Sequence, residues 1–286
     1  MEEIMGLFSG LKNLGLGNLE GMDLYEDPKK NEVQKKPETV APPRPQEKDL
    51  IYDRSFVCPV CDSPFTAKIM KSSKAKLLGT DQDLRARYDG IDAMKYDVVM
   101  CPVCGYAALI RFFTNVTSTQ AKMIREKISQ TVKLTVYNDE IYGYEQAMER
   151  YKLALVNAMV KRAKTSEKAY ICLKTAWLLR GYGESLKEKE EYDEKLVDTL
   201  AKQEEEFLEN AYKGFSEARQ TEMFPICGMN TVTVDYLVAV LAVRFKDYGM
   251  ATRLLSAVIT SPGANMRIKD RARDMKELIM REMKSK

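Results

Sequence analysis

The chain has 286 residues, 45% of them hydrophobic and 30% charged, enough for one or two globular domains. Its 45 basic and 42 acidic residues leave a net charge of +3, so no global field draws it to nucleic acid or membrane. Histidine is absent, which removes histidine-ligated metals, Ser-His-Asp and Cys-His nucleophiles, and imidazole acid–base chemistry, and argues against an enzyme.

The N-terminus, Met1-Glu2-Glu3, lacks the basic start of a secretory signal, and no apolar run is long enough for a transmembrane helix. A cytoplasmic location is expected. Residues 5–23 set Leu7, Phe8, Leu11, Leu14, Leu16 and Leu19 among five glycines, each costing about 1 kcal/mol in a helix. The segment reads as a frayed tail. From Asp27 to Asp49 the chain is proline-rich and charged, with little surface to bury, so residues 1–49 are expected to be a disordered tail and linker.

A metal-binding domain is expected over 50–117. Its centre is one tetrapeptide written twice, Cys58-Pro59-Val60-Cys61 and Cys101-Pro102-Val103-Cys104. Paired C-x2-C motifs complete a four-thiolate shell of the kind structural zinc prefers. Rubredoxin-like iron uses the same donors. Gly105 can supply the positive φ that a tight knuckle needs. Residues 53–57 and 65–69 read as strands flanking the first knuckle, and residues 96–100 and 106–110 as those flanking the second, although the last could equally begin a helix. Two knuckle hairpins facing one ion describe a zinc ribbon. Between them, Lys68, Arg85, Arg87 and Lys95 alternate with Asp81, Asp83, Asp89 and Asp92. This interval reads as a solvated surface, with nucleic-acid binding as the alternative.

The runs SFVCPVCDSPFTAKIMKSSKAKLLGTD and YDVVMCPVCGYAAL resemble an uncharacterised bacterial family, domain of unknown function 2225, over roughly residues 50–270. The resemblance implies a bacterial cytoplasmic protein with a metal-binding front and a helical rear, and carries no known activity.

Over 118–286 the apolar period becomes helical. Helices are expected at Ser118–Lys133, Tyr144–Ala163, Ser166–Arg180, Ser185–Arg219, Val232–Tyr248, Gly249–Thr260 and Met266–Met283, with Gly181 and Gly183 among the stops. The charged stretch KEKEEYDEK at the start of the fourth is expected to project as a solvated arm, with an oligomer-forming seam as the alternative. A pattern of small and large residues recurs as Ala147/Tyr151/Ala154, Ala211/Phe215/Ala218 and Ala251/Leu255/Val258. It resembles a tetratricopeptide repeat (TPR), though without a clean period.

The expected class is therefore α+β: a four-cysteine zinc ribbon with one structural Zn2+ on Cys58, Cys61, Cys101 and Cys104, then an all-α TPR-like domain. The expected function is a non-enzymatic protein-interaction module. Lys168, Tyr236 and Arg244 are the candidates for gripping a peptide in a helical groove. Cys172 and Cys227 read as inert.

Overall fold

Short apolar runs broken by cysteine turns give hairpins, and the later amphipathic runs give helices. The computed structural model describes residues 45–135, 139–188 and 193–284. The readings made for the N-terminal tail, most of the linker and the middle of the KEKEEYDEK stretch lie outside the described residues.

Strands β1 (Ile51–Val57) and β2 (Pro64–Met70) pair antiparallel from Ile51↔Met70 to Val57↔Pro64, with the first knuckle between them. Two short strands follow, β3 (Leu77–Thr80) and β4 (Ala86–Tyr88). Strands β5 (Val98–Met100) and β6 (Ala107–Leu109) pair from Val98↔Leu109 to Met100↔Ala107 around the second knuckle. The three hairpins are separate two-stranded sheets. A lone hairpin is marginal in water, so each needs outside support.

The β5–β6 hairpin shows where that support lies. Side chains alternate across a strand. Val98, Ala107 and Leu109 join the helical core, whereas Val99, Ala108, Cys101 and Cys104 join the cluster around the cysteines. Both faces are covered, which accounts for the almost unbroken apolar sequence.

The helices are α1 (Ser118–Ile124), prolonged by a π-helical turn over Arg125–Ser129, α2 (Tyr144–Val160), α3 (Thr165–Lys187), α4 (Glu194–Thr221), α5 (Thr231–Arg244), α6 (Tyr248–Thr260) and α7 (Met266–Lys284). Side-chain caps fix several starts: Thr117 and Gln120 form a capping box, and Asp193, Asn230 and Asp247 each accept a first-turn N–H. From α2 onward each helix packs on the next, most extensively α3 on α4 and α5 on α6. The repeated small and large positions at 147/151/154, 211/215/218 and 251/255/258 are at most 1% exposed.

Several boundaries differ from expectation: the first helix ends with the π-helical turn at Ser129 rather than at Lys133, and α5 ends at Arg244 rather than at Tyr248. Helix α3 runs through Gly181 and Gly183 to Lys187. Gly181 is there for close approach, because a Cβ at that position would strike the Asp92 carboxylate. The long helix expected from Ser185 is instead the end of α3 and a separate α4 capped by Asp193. The buried stripe of α4 also includes Glu204, which pairs with Arg180 at 2.9 Å.

The interval between the knuckles is bound to the helices rather than left to solvent. Arg85 pairs with Asp81 at 2.8 Å and with Glu184 at 2.5 Å. Arg180 bridges Asp81, Asp83 and Glu204. Trp177 Nε1 donates to Asp83, and Arg271 donates to the Thr80 carbonyl. The expected boundary near residue 117 separates strands from helices in sequence, but the core runs across it, with Met94, Val98 and Leu109 packed among helical residues.

Candidate metal centre

Each knuckle is a tight turn closed by backbone hydrogen bonds. In the first, Cys58 N donates to Ser63 O at 3.0 Å and Asp62 N to Cys58 O at 2.9 Å. In the second, Cys101 N donates to Tyr106 O at 2.8 Å and Gly105 N to Cys101 O at 3.1 Å. The residue after each second cysteine takes a left-handed conformation, Gly105 with φ 72° as expected and Asp62 with φ 59°. At Gly105 a side chain is also excluded by contact, since a Cβ would lie 2.8 Å from Val132 Cγ1.

These turns bring four sulfurs together. The Sγ atoms of Cys58, Cys61, Cys101 and Cys104 all lie within 4.8 Å of one another. Cys58 and Cys104 are 3.5 Å apart, and Cys61 and Cys101 3.6 Å. A tetrahedral shell with metal–sulfur bonds of about 2.3 Å needs sulfur separations of about 3.8 Å. A disulfide needs about 2.05 Å, and all four are free cysteines. Three are buried and Cys61 is half-buried. The donor set thus fits a metal ion without large movement.

The sulfurs are electrostatically interdependent. A hydrogen bond with Cys101 pushes Cys58 up to about 12. Hydrogen bonds from Cys104 and Cys58 pull Cys101 down to about 2, and Cys104 is raised as the other half of that exchange. Four thiolates this close repel unless a cation lies between them, so protons and a metal compete for the same sulfurs.

Three residues that motif reading missed hold the knuckles in place. Asn157, wholly buried on α2, donates from Nδ2 to Gly105 O at 3.0 Å and to Leu153 O at 2.9 Å. Arg125, in the π-helical turn, donates to the Val60 carbonyl. Tyr106 Oη donates to Phe113 O at 2.9 Å beneath a cluster of Phe56, Phe65 and Phe113. Asn157 had a visible signal, a polar residue on the same helical stripe as Ala147, Tyr151 and Ala154.

The family model described as an uncharacterized protein conserved in bacteria (DUF2225) matches residues 51–279. The chain belongs to this family. No curated protein and no solved structure matches it. For this DUF2225 member, the matched range holds all four cysteines and every helix through most of α7.

The three groove candidates fare differently. Tyr236 is 1% exposed and belongs to the core, so its assignment to a peptide-gripping surface is corrected. The reason is that α5 is apolar on nearly every side and is packed by α4, α6 and α7. Arg244 is exposed and lines a cleft of about 600 Å3 with Leu208, Val240, Met275 and Leu278, while pairing with Glu205 at 2.6 Å. Lys168 is half-buried on α3 and does not line that cleft. Cys172 and Cys227 are buried, and burial lifts both thiols to about 11. Among the described residues no helix is long and apolar enough to cross a membrane.

Proposed function

We propose that this protein is a non-enzymatic interaction module of the bacterial cytoplasm, in which one structural Zn2+ on Cys58, Cys61, Cys101 and Cys104 fixes two hairpins against a TPR-like helical body. The observation that supports the reading is the donor set: four cysteine sulfurs within 4.8 Å of one another. Around one ion they would complete a tetrahedral shell and leave no position for a substrate. Zinc is favoured over iron because paired C-x2-C knuckles are the usual donor pattern of a structural zinc site. The partner is a protein segment, and the cleft lined by Leu208, Val240, Met275, Leu278 and Arg244 has the apolar floor and charged rim that suit a peptide.

The nucleic-acid alternative loses ground because several of the cations between the knuckles are already engaged, while Lys74 and Lys76 are exposed. Lys68 pairs with Asp53 at 3.2 Å, Lys95 with Glu47 at 2.5 Å, and Arg85 with two acids.

Metal analysis of the purified protein tests the first half: one zinc per chain, with a tetrathiolate spectrum after cobalt exchange. Bound iron, or a cobalt spectrum with an oxygen ligand, would overturn it. A photocrosslinking residue at Leu278 tests the second half. It should trap one partner in the native host, and the trap should be lost on Val240→Glu. Trapping of nothing but small metabolites or RNA would refute it.

A further inference from the structure

A second cleft, of about 470 Å3, lies where β2, β4 and the turn at Ala93–Tyr96 meet α3 and α5. Ligand pockets typically span roughly 300–1,000 Å3. Its walls are mainly apolar and aromatic, with Ile69, Tyr88 and Met94 from the hairpin side and Tyr170, Trp177 and Leu237 from the helices.

Two polar side chains are set into that lining. Lys174, 8% exposed, places its ammonium 2.6 Å from Asp97 Oδ2, and 4.9 Å and 5.6 Å from the ring centroids of Tyr170 and Trp177. Burial works against the charge on Lys174, but Asp97 and Tyr170 together outweigh it and raise the pKa, so the lysine remains protonated. Asp97 Oδ2 is buried and is held in an ion pair by Lys174. An ammonium has three N–H donors and a carboxylate two oxygens, so each member of the pair can take a further hydrogen bond.

We propose that this cleft binds a small, uncharged, planar heterocycle carrying an N–H donor next to a carbonyl acceptor, as in a cyclic amide. The carbonyl would accept from Lys174 and the N–H would donate to Asp97, with the ring against Tyr170 and Trp177. Neutrality follows from the site: Lys174 and Asp97 already cancel, and a charged ligand would leave a net charge buried. The flat shape follows from the aromatic walls. The proposal stands apart from the metal and peptide readings, because none of the four cysteines and none of the peptide-cleft residues line this cavity.

Trp177 is the sole tryptophan of the chain and lies in the cleft wall, so its fluorescence reports occupancy directly. The metal-loaded protein is titrated with 2-quinolinone and with N-methyl-2-quinolinone, corrected for inner-filter absorption. Quenching by 2-quinolinone should saturate at one site per chain. The N-methyl compound, which lacks the donor to Asp97, should bind about tenfold more weakly or worse. Ala86→Phe, which fills the cleft from β4, should abolish saturation while the thermal transition is retained. Unsaturable quenching, equal affinity for the two compounds, or saturation surviving in a folded Ala86→Phe protein would each overturn the proposal. If that variant does not fold, the comparison of the two compounds on the wild type decides.

Discussion

Asn157 is the side chain through which α2 holds the second knuckle, and Asn157→Ala measures that hold. The amide is 0% exposed, and its Nδ2 donates to the carbonyl of Gly105, the residue after Cys104. Truncation leaves a buried carbonyl without its donor, costing roughly 1–3 kcal/mol, and the small cavity adds about 1 kcal/mol more. A total of about 3 kcal/mol corresponds to a fall in Tm of roughly 6–12 °C for a unit of this size. Differential scanning calorimetry of the metal-loaded protein reads that fall. A chromogenic chelator reads the second consequence, at least about tenfold faster metal release, since every 1.4 kcal/mol lost from the closed knuckle is about a factor of ten. Val156→Ala, next to it but on the exposed face of α2, is the control and should change neither. A lowered Tm with unchanged release would show that the knuckle opens independently of α2. An unchanged Tm would show that the bond contributes nothing.

Arg180→Met should destabilise the fold by about 3–5 kcal/mol in a denaturant melt, because it strands buried Asp83 and Glu204 without their cation. Asp62→Gly should raise stability by about 1 kcal/mol by relieving a left-handed residue, whereas Gly105→Ala should lower it through both φ 72° and contact with Val132. Thermal melts of the two decide. Cys172 and Cys227 should resist iodoacetamide at pH 8 in the native protein and react once it is unfolded. Their thiols are raised from 9.0 to about 11, so the stability they contribute is complete below pH 9 and is lost as the pH climbs toward 11. A native labelling rate equal to the denatured one would contradict that burial.

The cysteine spacing and the helical periodicity carried most of the architecture because each is a local property of the chain. Cys58 and Cys61 are brought near each other by a turn, and Ala147, Tyr151 and Ala154 by one helix face. What stayed hidden depends on distant partners. Asp81, Asp83 and Arg85 look self-cancelling in sequence, yet they pair with Arg180 and Glu184, about a hundred residues away. The β3–β4 hairpin is hard to see in sequence because strands of four and three residues give almost no alternation to read. Gly181 looks like a stop because propensity cannot see that Asp92 lies against it. Tyr236 looks exposed only if α5 has an amphipathic register, and that helix has almost no polar face.

The contacts of Arg271 with Thr80 and Asp81 span 191 and 190 residues of chain. On the ribosome the two knuckles therefore emerge long before α7, and their sulfurs can be filled while the last support for the β3–β4 loop is still unmade. Synthesis proceeds at about 5–20 residues per second, so that interval lasts on the order of ten seconds or more. The β5–β6 hairpin is sheltered sooner, because α2, which packs on it, follows the second knuckle closely in the chain. Metal capture during translation would give the nascent chain a fixed front against which each new helix can settle in turn.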